Sequence, residues 1–279
     1  MILNAKRYLS IMLIMALAAC NSTATDKKDA GQGEQNAQTT ELTPEPLATE
    51  KPAVTKNREM EVVASQDNPG SVTINVPDDD TKAKQQEELQ AQQQDRETAF
   101  LFNKGTTAYS NEDYETGIGY FKQVLEKNPE NRKAVYNLGV GYFELNKFSD
   151  ALASFNKAIA MNPRDSLSIQ YRGRVYYMLG DFEKCLKDYD LVVKMKPDDY
   201  ISWYNRGTAK GQLHDYLGAI KDFDKAIEIN PDYAEAYYNR GLANYYQGRR
   251  HEACYDWRKA HSLGHYQSEK ALRSYCEDE

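Results

Sequence analysis

Residues 200–233 read YISWYNRGTAKGQLHDYLGAIKDFDKAIEINPDY, and each landmark in that stretch recurs along the chain at one fixed interval. Gly207 lies 34 residues after Gly173, and Gly105, Gly139 and Gly241 extend the series at the same spacing. Pro231 belongs to a second series with Pro129, Pro163 and Pro197. Twelve residues after each glycine stands a small residue: Gly117, Ala151, Cys185, Ala219 and Ala253. Four further on comes an aromatic: Phe121, Phe155, Tyr189, Phe223 and Trp257. Five in-phase units without an insertion mark a stacked-repeat architecture. Each unit reads as a helical hairpin. In the second unit the spacing predicts helices over Lys133–Glu144 and Phe148–Ala160. The glycine and the small residue fit where two helices cross closely, and the aromatic fills the layer between hairpins. Asn128-Pro129, Asn162-Pro163 and Asn230-Pro231 end the second helix, because a residue before proline is driven out of the helical region. One hairpin cannot bury its own apolar face, so neighbours must stack.

The period and the small/aromatic pattern resemble the tetratricopeptide repeat. The resemblance implies an all-α, right-handed α-solenoid of five hairpins, with units starting at 98, 132, 166, 200 and 234, plus a C-terminal capping helix. The fifth unit closes at Leu263-Gly264 with His265 in the proline position, and Ser268–Cys276 reads as the cap, with Ala271, Leu272 and Tyr275 on one face. In similar proteins the first helices line a concave groove. The groove positions map onto Phe102, Asn103, Thr106 and Tyr109, then Tyr136, Asn137, Val140 and Phe143. They continue through Gln170, Tyr171, Arg174 and Tyr177, then Tyr204, Asn205 and Thr208, and end at Tyr238, Asn239, Leu242 and Tyr245. Tyrosine offers amphipathic area at low entropic cost, and asparagine can hold a peptide backbone as both donor and acceptor. Such a lining suits an extended peptide or a partner helix, with some of the tyrosines packing between hairpins instead. Relatives that clamp the C-terminal carboxylate of chaperones need basic residues missing here. Phe102 or Tyr136 stands at the first lysine position, and Asn137 alone matches.

A further internal pattern concerns charge. Arg172, Arg206 and Arg240 each precede the repeat glycine, and Asp188, Asp222 and Asp256 follow them at a spacing of sixteen. The first two units lack both partners, having Lys104 with Tyr120 and Leu138 with Ser154. Matched presence and absence predict three half-buried ion pairs across the helices of a hairpin.

Outside the repeats the composition changes. The chain has 279 residues with 21 tyrosines, 8 phenylalanines and 2 tryptophans, and all of these except Tyr8 lie at or beyond Phe100. Residues 21–97 therefore cannot supply a large apolar core. They carry 16 acidic against 8 basic residues, while 98–279 is nearly balanced at 26 against 25. That distribution argues against nucleic acid as a partner. Residues 20–97 read as a disordered acidic tether, helical near its end, where Lys82–Glu97 is rich in good helix formers with Leu89 as its one large apolar residue. Val72-Thr73-Ile74-Asn75-Val76 alternates like a strand but has no evident partner, so it is expected to be a transient extended patch or a docking peptide.

The first residues address the chain. Lys6 and Arg7 precede an apolar run, Ile11–Ala19, that is too short for a transmembrane helix and fits an export signal over residues 1–19. Leu17-Ala18-Ala19-Cys20 resembles the lipobox of bacterial lipoproteins. That resemblance implies cleavage before Cys20, lipid on its thiol and stable attachment to a membrane. Asn21 is not the aspartate of an inner-membrane retention signal, so the outer membrane is the expected location, periplasmic or surface-exposed.

No catalytic motif stands out: there is no G-x-S-x-G, no H-E-x-x-H and no phosphate-cradling glycine loop. His251, Cys254, His261, His265 and Cys276 crowd one end, but without a zinc-knuckle spacing, so no metal and no cofactor is expected. Cys254 and Cys276 are candidates for a disulfide pinning the cap in an oxidising compartment, and Cys185 is a packing residue. The expected function is a non-enzymatic, membrane-anchored adaptor in the bacterial envelope that binds a protein partner. The alternative is a peptidoglycan- or carbohydrate-binding lipoprotein, and self-association through the end hairpins is compatible with either.

Overall fold

A computed structural model describes residues 62–64, 72–74 and 79–276. The lipobox with Cys20 and most of the proposed tether lie outside the described residues. Two units are distinct, one within residues 29–97 and the other containing the repeat array from Thr98 onward. In the first, β1 (Val62–Ala64) pairs antiparallel with β2 (Val72–Ile74), with Val63 opposite Thr73. This corrects the expectation that Val72–Ile74 has no partner. The short β-branched run at Val62-Val63 supplies the other side of the ladder.

Helix α1 runs from Asp79 to Ser110. Its side chains from Asp79 to Glu97 are exposed, and burial starts at Thr98 and Leu101. The second helix of the first unit is α2 (Tyr114–Lys127). The next three hairpins are α3 (Arg132–Glu144) with α4 (Phe148–Met161), α5 (Ser166–Met178) with α6 (Phe182–Met195), and α7 (Tyr200–Gln212) with α8 (Tyr216–Ile229). The fifth is α9 (Ala234–Tyr246) with α10 (Arg250–Ser262), and α11 (Tyr266–Tyr275) closes the array. The array is an all-α solenoid of tandem hairpins. The cap starts two residues earlier than the sequence indicates.

Local chemistry sets the helix boundaries. Asp113, Asn131, Asp165, Asp181 and Asp215 each accept a backbone N–H three residues into the following helix. Each satisfies a donor that the helix start leaves unpaired. The turn inside every hairpin needs one residue with positive φ, and these fall in register: Glu112 (60°), Asn146 (57°), Gly180 (76°), His214 (62°) and Gly248 (74°). Glycine adopts this conformation readily and asparagine and histidine tolerate it, whereas glutamate pays a steric cost there.

The core repeats with the same period. Phe121, Phe155, Tyr189, Phe223 and Trp257 are almost completely buried, as are Ala151, Cys185, Ala219 and Ala253. Each ring lies against the repeat glycine of the partner helix. A Cβ on Gly139 would come within 2.6 Å of Phe155, one on Gly207 within 2.9 Å of Phe223, and one on Gly241 within 2.6 Å of Trp257. The same arrangement holds at Gly105 with Phe121 and Gly173 with Tyr189. These glycines are there for space.

The cap is fastened covalently and by packing. Cys254 and Cys276 form a disulfide that joins α10 to the end of α11, with their Cα atoms 5.9 Å apart. Arg250 Nε donates to the Tyr275 carbonyl. His265, at the vacant proline position, stacks on Tyr238 with ring centroids 4.3 Å apart, and its Nδ1 lies 3.0 Å from Ser268 Oγ. Burial pushes the His265 imidazole down from 6.5 to about 4.

Two substitutions should act with opposite sign on the midpoint of thermal unfolding. Gly207→Ala overpacks the Phe223 contact and should cost roughly 1–3 kcal/mol, whereas Glu112→Gly relieves a left-handed residue and should stabilise by up to about 1 kcal/mol. Acid should loosen the cap through His265, because the unfolded chain takes up its proton below pH 6.5 and the folded one resists down to about 4. The stability difference between wild type and His265→Asn, measured by urea titration, should therefore shift against wild type as pH falls through that window and be constant above it.

Candidate binding groove

The first helices of the hairpins lie side by side and are bonded from unit to unit. Tyr109 Oη on α1 donates to the Asn137 carbonyl on α3. Gln170 Nε2 on α5 donates to Asp199 and to Ser202 at the start of α7. Gln212 Nε2 on α7 donates to Tyr177 Oη on α5, and Asn239 Nδ2 on α9 donates to Tyr204 Oη on α7. This inner layer contains all the positions that the sequence assigns to a groove, and it does not treat them alike.

In the first three units the layer is partly open. Asn103 is exposed, and Phe102, Thr106, Tyr136, Asn137, Val140, Phe143, Tyr171, Arg174 and Tyr177 are half-buried. Tyr136, Phe143, Phe155 and Tyr171 form an aromatic group, with the Tyr171 centroid 5.7 Å from Tyr136, 6.0 Å from Phe143 and 5.5 Å from Phe155. Burial and the neighbouring Tyr171 raise the Tyr136 phenol, which stays protonated. Tyr109 is a packing residue: a Cβ on Gly117 would collide with its ring and one on Gly141 with its hydroxyl.

In the last two units the sequence assignment needs correction. Tyr204, Thr208, Tyr238, Asn239 and Leu242 are 0–3% exposed, so they cannot line a groove. Tyr204 packs between Phe223 and Tyr233. Tyr238 stacks on His265, and Tyr245 sits 4.6 Å from Tyr275 of the cap. Asn205 and Tyr245 are the half-buried groove positions that remain there, Tyr245 against the cap. The reason is spatial: Tyr233, the residue before α9, closes over Tyr204, and His265 of the cap closes over Tyr238.

The sequence also leaves out several residues on these helices. Leu167, Met178 and Ile201 are exposed apolar side chains on α5 and α7. Glu144, at the end of α3, is half-buried, and burial raises its carboxyl above the usual range while Arg174 pulls it back.

The arginines expected to make ion pairs do so, and each reaches further than a single hairpin. Arg172 bonds both oxygens of Asp188 at 2.6 and 2.8 Å, and its Nη1 also donates to Asn156 on the preceding α4. Arg206 bonds Asp222 in the same bidentate way and reaches Asp190 on α6. Arg240 does so with Asp256 and Asp224. The strap positions Asn156, Asp190 and Asp224 are themselves 34 residues apart, a series visible in the sequence once the arginines are known to bridge units. Among the described residues no group of three or more His, Cys, Asp or Glu is placed to hold a metal ion.

Residues 102–166 and 139–200 match a family model described as tetratricopeptide repeat, and residues 212–248 match one described as TPR repeat. The repeat array belongs to the tetratricopeptide repeat family. Solved structures share its fold. A MamA fragment from Desulfovibrio magneticus RS-1 is 18% identical with a TM-score of 0.58, covering 61% of this chain and 96% of that one. A tetratricopeptide repeat protein from Parabacteroides merdae ATCC 43184 is 25% identical with a TM-score of 0.55, covering 60% and 66%. YrrB, described as a TPR protein with an unusual peptide-binding site, is 20% identical with a TM-score of 0.55, covering 62% and 90%. No curated protein sequence matches the chain.

The ladder gives a ranked prediction. Asp222 has a second cation, Lys210 Nζ at 2.8 Å, whereas among the described residues Asp256 has the Asn244 amide besides Arg240 and no second cation. Arg240→Ala should therefore destabilise by about 3 kcal/mol or more, as expected when a buried carboxylate loses its partner, and Arg206→Ala by less. Asp190→Ala, at a half-exposed end of the ladder, should cost about 0–1 kcal/mol. Equilibrium urea unfolding of the three variants tests the order.

Proposed function

We propose that this protein is a non-catalytic adaptor of the bacterial envelope, held to a membrane by lipid on Cys20, whose inner helix layer binds an extended peptide of a partner. The observation that carries the binding is the set of unspent polar groups on the open part of that layer. The side chains of Asn103, Asn137 and Asn205 make no hydrogen bond within the described residues. A peptide backbone offers both the donors and the acceptors that such amides need. Tetratricopeptide solenoids use surfaces of this kind for binding.

The Cys254–Cys276 disulfide supports the export part of the reading, since such bonds persist in oxidising compartments. No helix among the described residues is long and apolar enough to cross a membrane, so attachment would rest on the lipid. Burial of Tyr204 and Tyr238 removes two ring faces that sugar stacking would have used, which favours a peptide over a carbohydrate ligand.

Two measurements test the proposal. Fractionation should find the chain in the membrane and a Cys20→Ala variant outside it. Affinity purification from gently solubilised envelopes, read by mass spectrometry, should recover a partner with wild type that a folded Asn137→Ala, Tyr171→Ala variant loses. An identical set of proteins with both forms would rule out the groove as the binding face.

A further inference from the structure

The half-buried arginines of the first helices divide into two kinds. Arg132, Arg172, Arg206 and Arg240 all spend their guanidinium on a carboxylate. Arg174 does not. It follows Arg172 by two residues on α5, so it leaves the helix on nearly the opposite side. Its guanidinium carbon lies 4.6 Å from the ring centroid of Phe143 and 4.8 Å from that of Tyr171. Among the described residues no acceptor meets its N–H groups. The rings hold the planar group in place and leave its hydrogen-bonding edge unused. A guanidinium edge matches a carboxylate, two N–H groups to two oxygens.

The surroundings narrow the ligand. Tyr171 breaks the series Asn103, Asn137, Asn205, and Arg174 stands where the neighbouring units have Thr106, Val140 and Thr208, so only the third unit places a charge at that position. Exposed Leu167 and Ile201 stand at equivalent positions one unit apart, and Met178 ends α5, giving apolar area on either side of Arg174 along the helix. Glu144 is the nearby opposite charge. It feels Arg174 electrostatically but does not close an ion pair with it.

We propose that Arg174 reads a carboxylate on the bound peptide, flanked by aliphatic side chains, and that Glu144 opposes this reading by competing for the same cation. The proposal rests on the peptide-groove reading above and specifies its ligand. The carboxylate belongs to an Asp or Glu side chain or to a free C terminus.

The test uses the full-length chain with its disulfide intact and random dodecapeptides displayed on phage, in one library fused at the C terminus and in another with it free. Selected peptides should carry an acidic group at a fixed position, in the first library as a side chain and in the second as either source. Affinities of the synthesised peptides should fall at least roughly tenfold with Arg174→Gln, as for loss of a charged hydrogen-bonding pair. Neutralising the peptide carboxylate, by Glu→Gln or amidation, should cost as much and leave the Arg174→Gln variant unaffected. Glu144→Gln should tighten binding, a gain that impaired folding cannot produce. Peptides bound through Asn137 and Tyr171 but indifferent to Arg174→Gln would overturn the proposal and leave the groove reading standing. If selected peptides ignored the Asn137→Ala, Tyr171→Ala variant as well, the groove reading itself would fall.

Discussion

In each hairpin an aromatic edge is laid on the repeat glycine, and the rest of the array depends on that contact. The ring needs the space of a missing Cβ, and it is by occupying that space that it is buried completely, as Phe155 is over Gly139 and Phe223 over Gly207. A protein interior tolerates little free volume and little excess, so one such contact fixes how near two helices come. Repeating it five times fixes the spacing of the inner layer. The groove is thus a consequence of core packing: the side chains that face a ligand sit on helices whose separation the glycines have already set.

On that scaffold the two halves of the array diverge. Toward the C-terminal end, tyrosines are closed over by the residues that follow them, and bidentate arginines tie each unit to the one before it. The disulfide and the Tyr238–His265 stack close that end. Toward the N-terminal end the arginine straps are missing, and asparagines and a loosely covered aromatic group remain near the surface. Rigidity and accessibility are therefore separated along one solenoid. This division is common in binding proteins, where the parts that meet ligands are drawn from the less stable regions.

The repeat spacing makes most of this architecture legible in the sequence. Period, hairpin boundaries, glycine–aromatic packing and the Arg–Asp pairs all follow from residues that recur at one interval, because each unit solves the same packing problem. Legibility fails where the solution changes from unit to unit. Position five of the first helix packs on its own unit's aromatic at Phe102, Tyr136 and Tyr204 alike. Yet Phe102 and Tyr136 stay half-buried while Tyr204 and Tyr238 are closed over by Tyr233 and His265, residues outside the repeat position itself. The straps to Asn156, Asp190 and Asp224 were equally periodic, but a pairing rule confined to one hairpin does not look for them. The pairing of Val72–Ile74 with Val62–Ala64 is not legible in the sequence because three ladder positions give too weak an alternation.

The arginine ladder also has a mechanical side. Each rung joins three consecutive helices, so a load entering the last three units is shared among neighbours and none can peel away alone. Units one and two have no rung of this kind between them, and the covalent clasp is at the far end. For a chain pulled from its N-terminal side, the array behaves as a graded spring. It yields first where the helices carry the groove, and it holds longest where they are strapped and clasped.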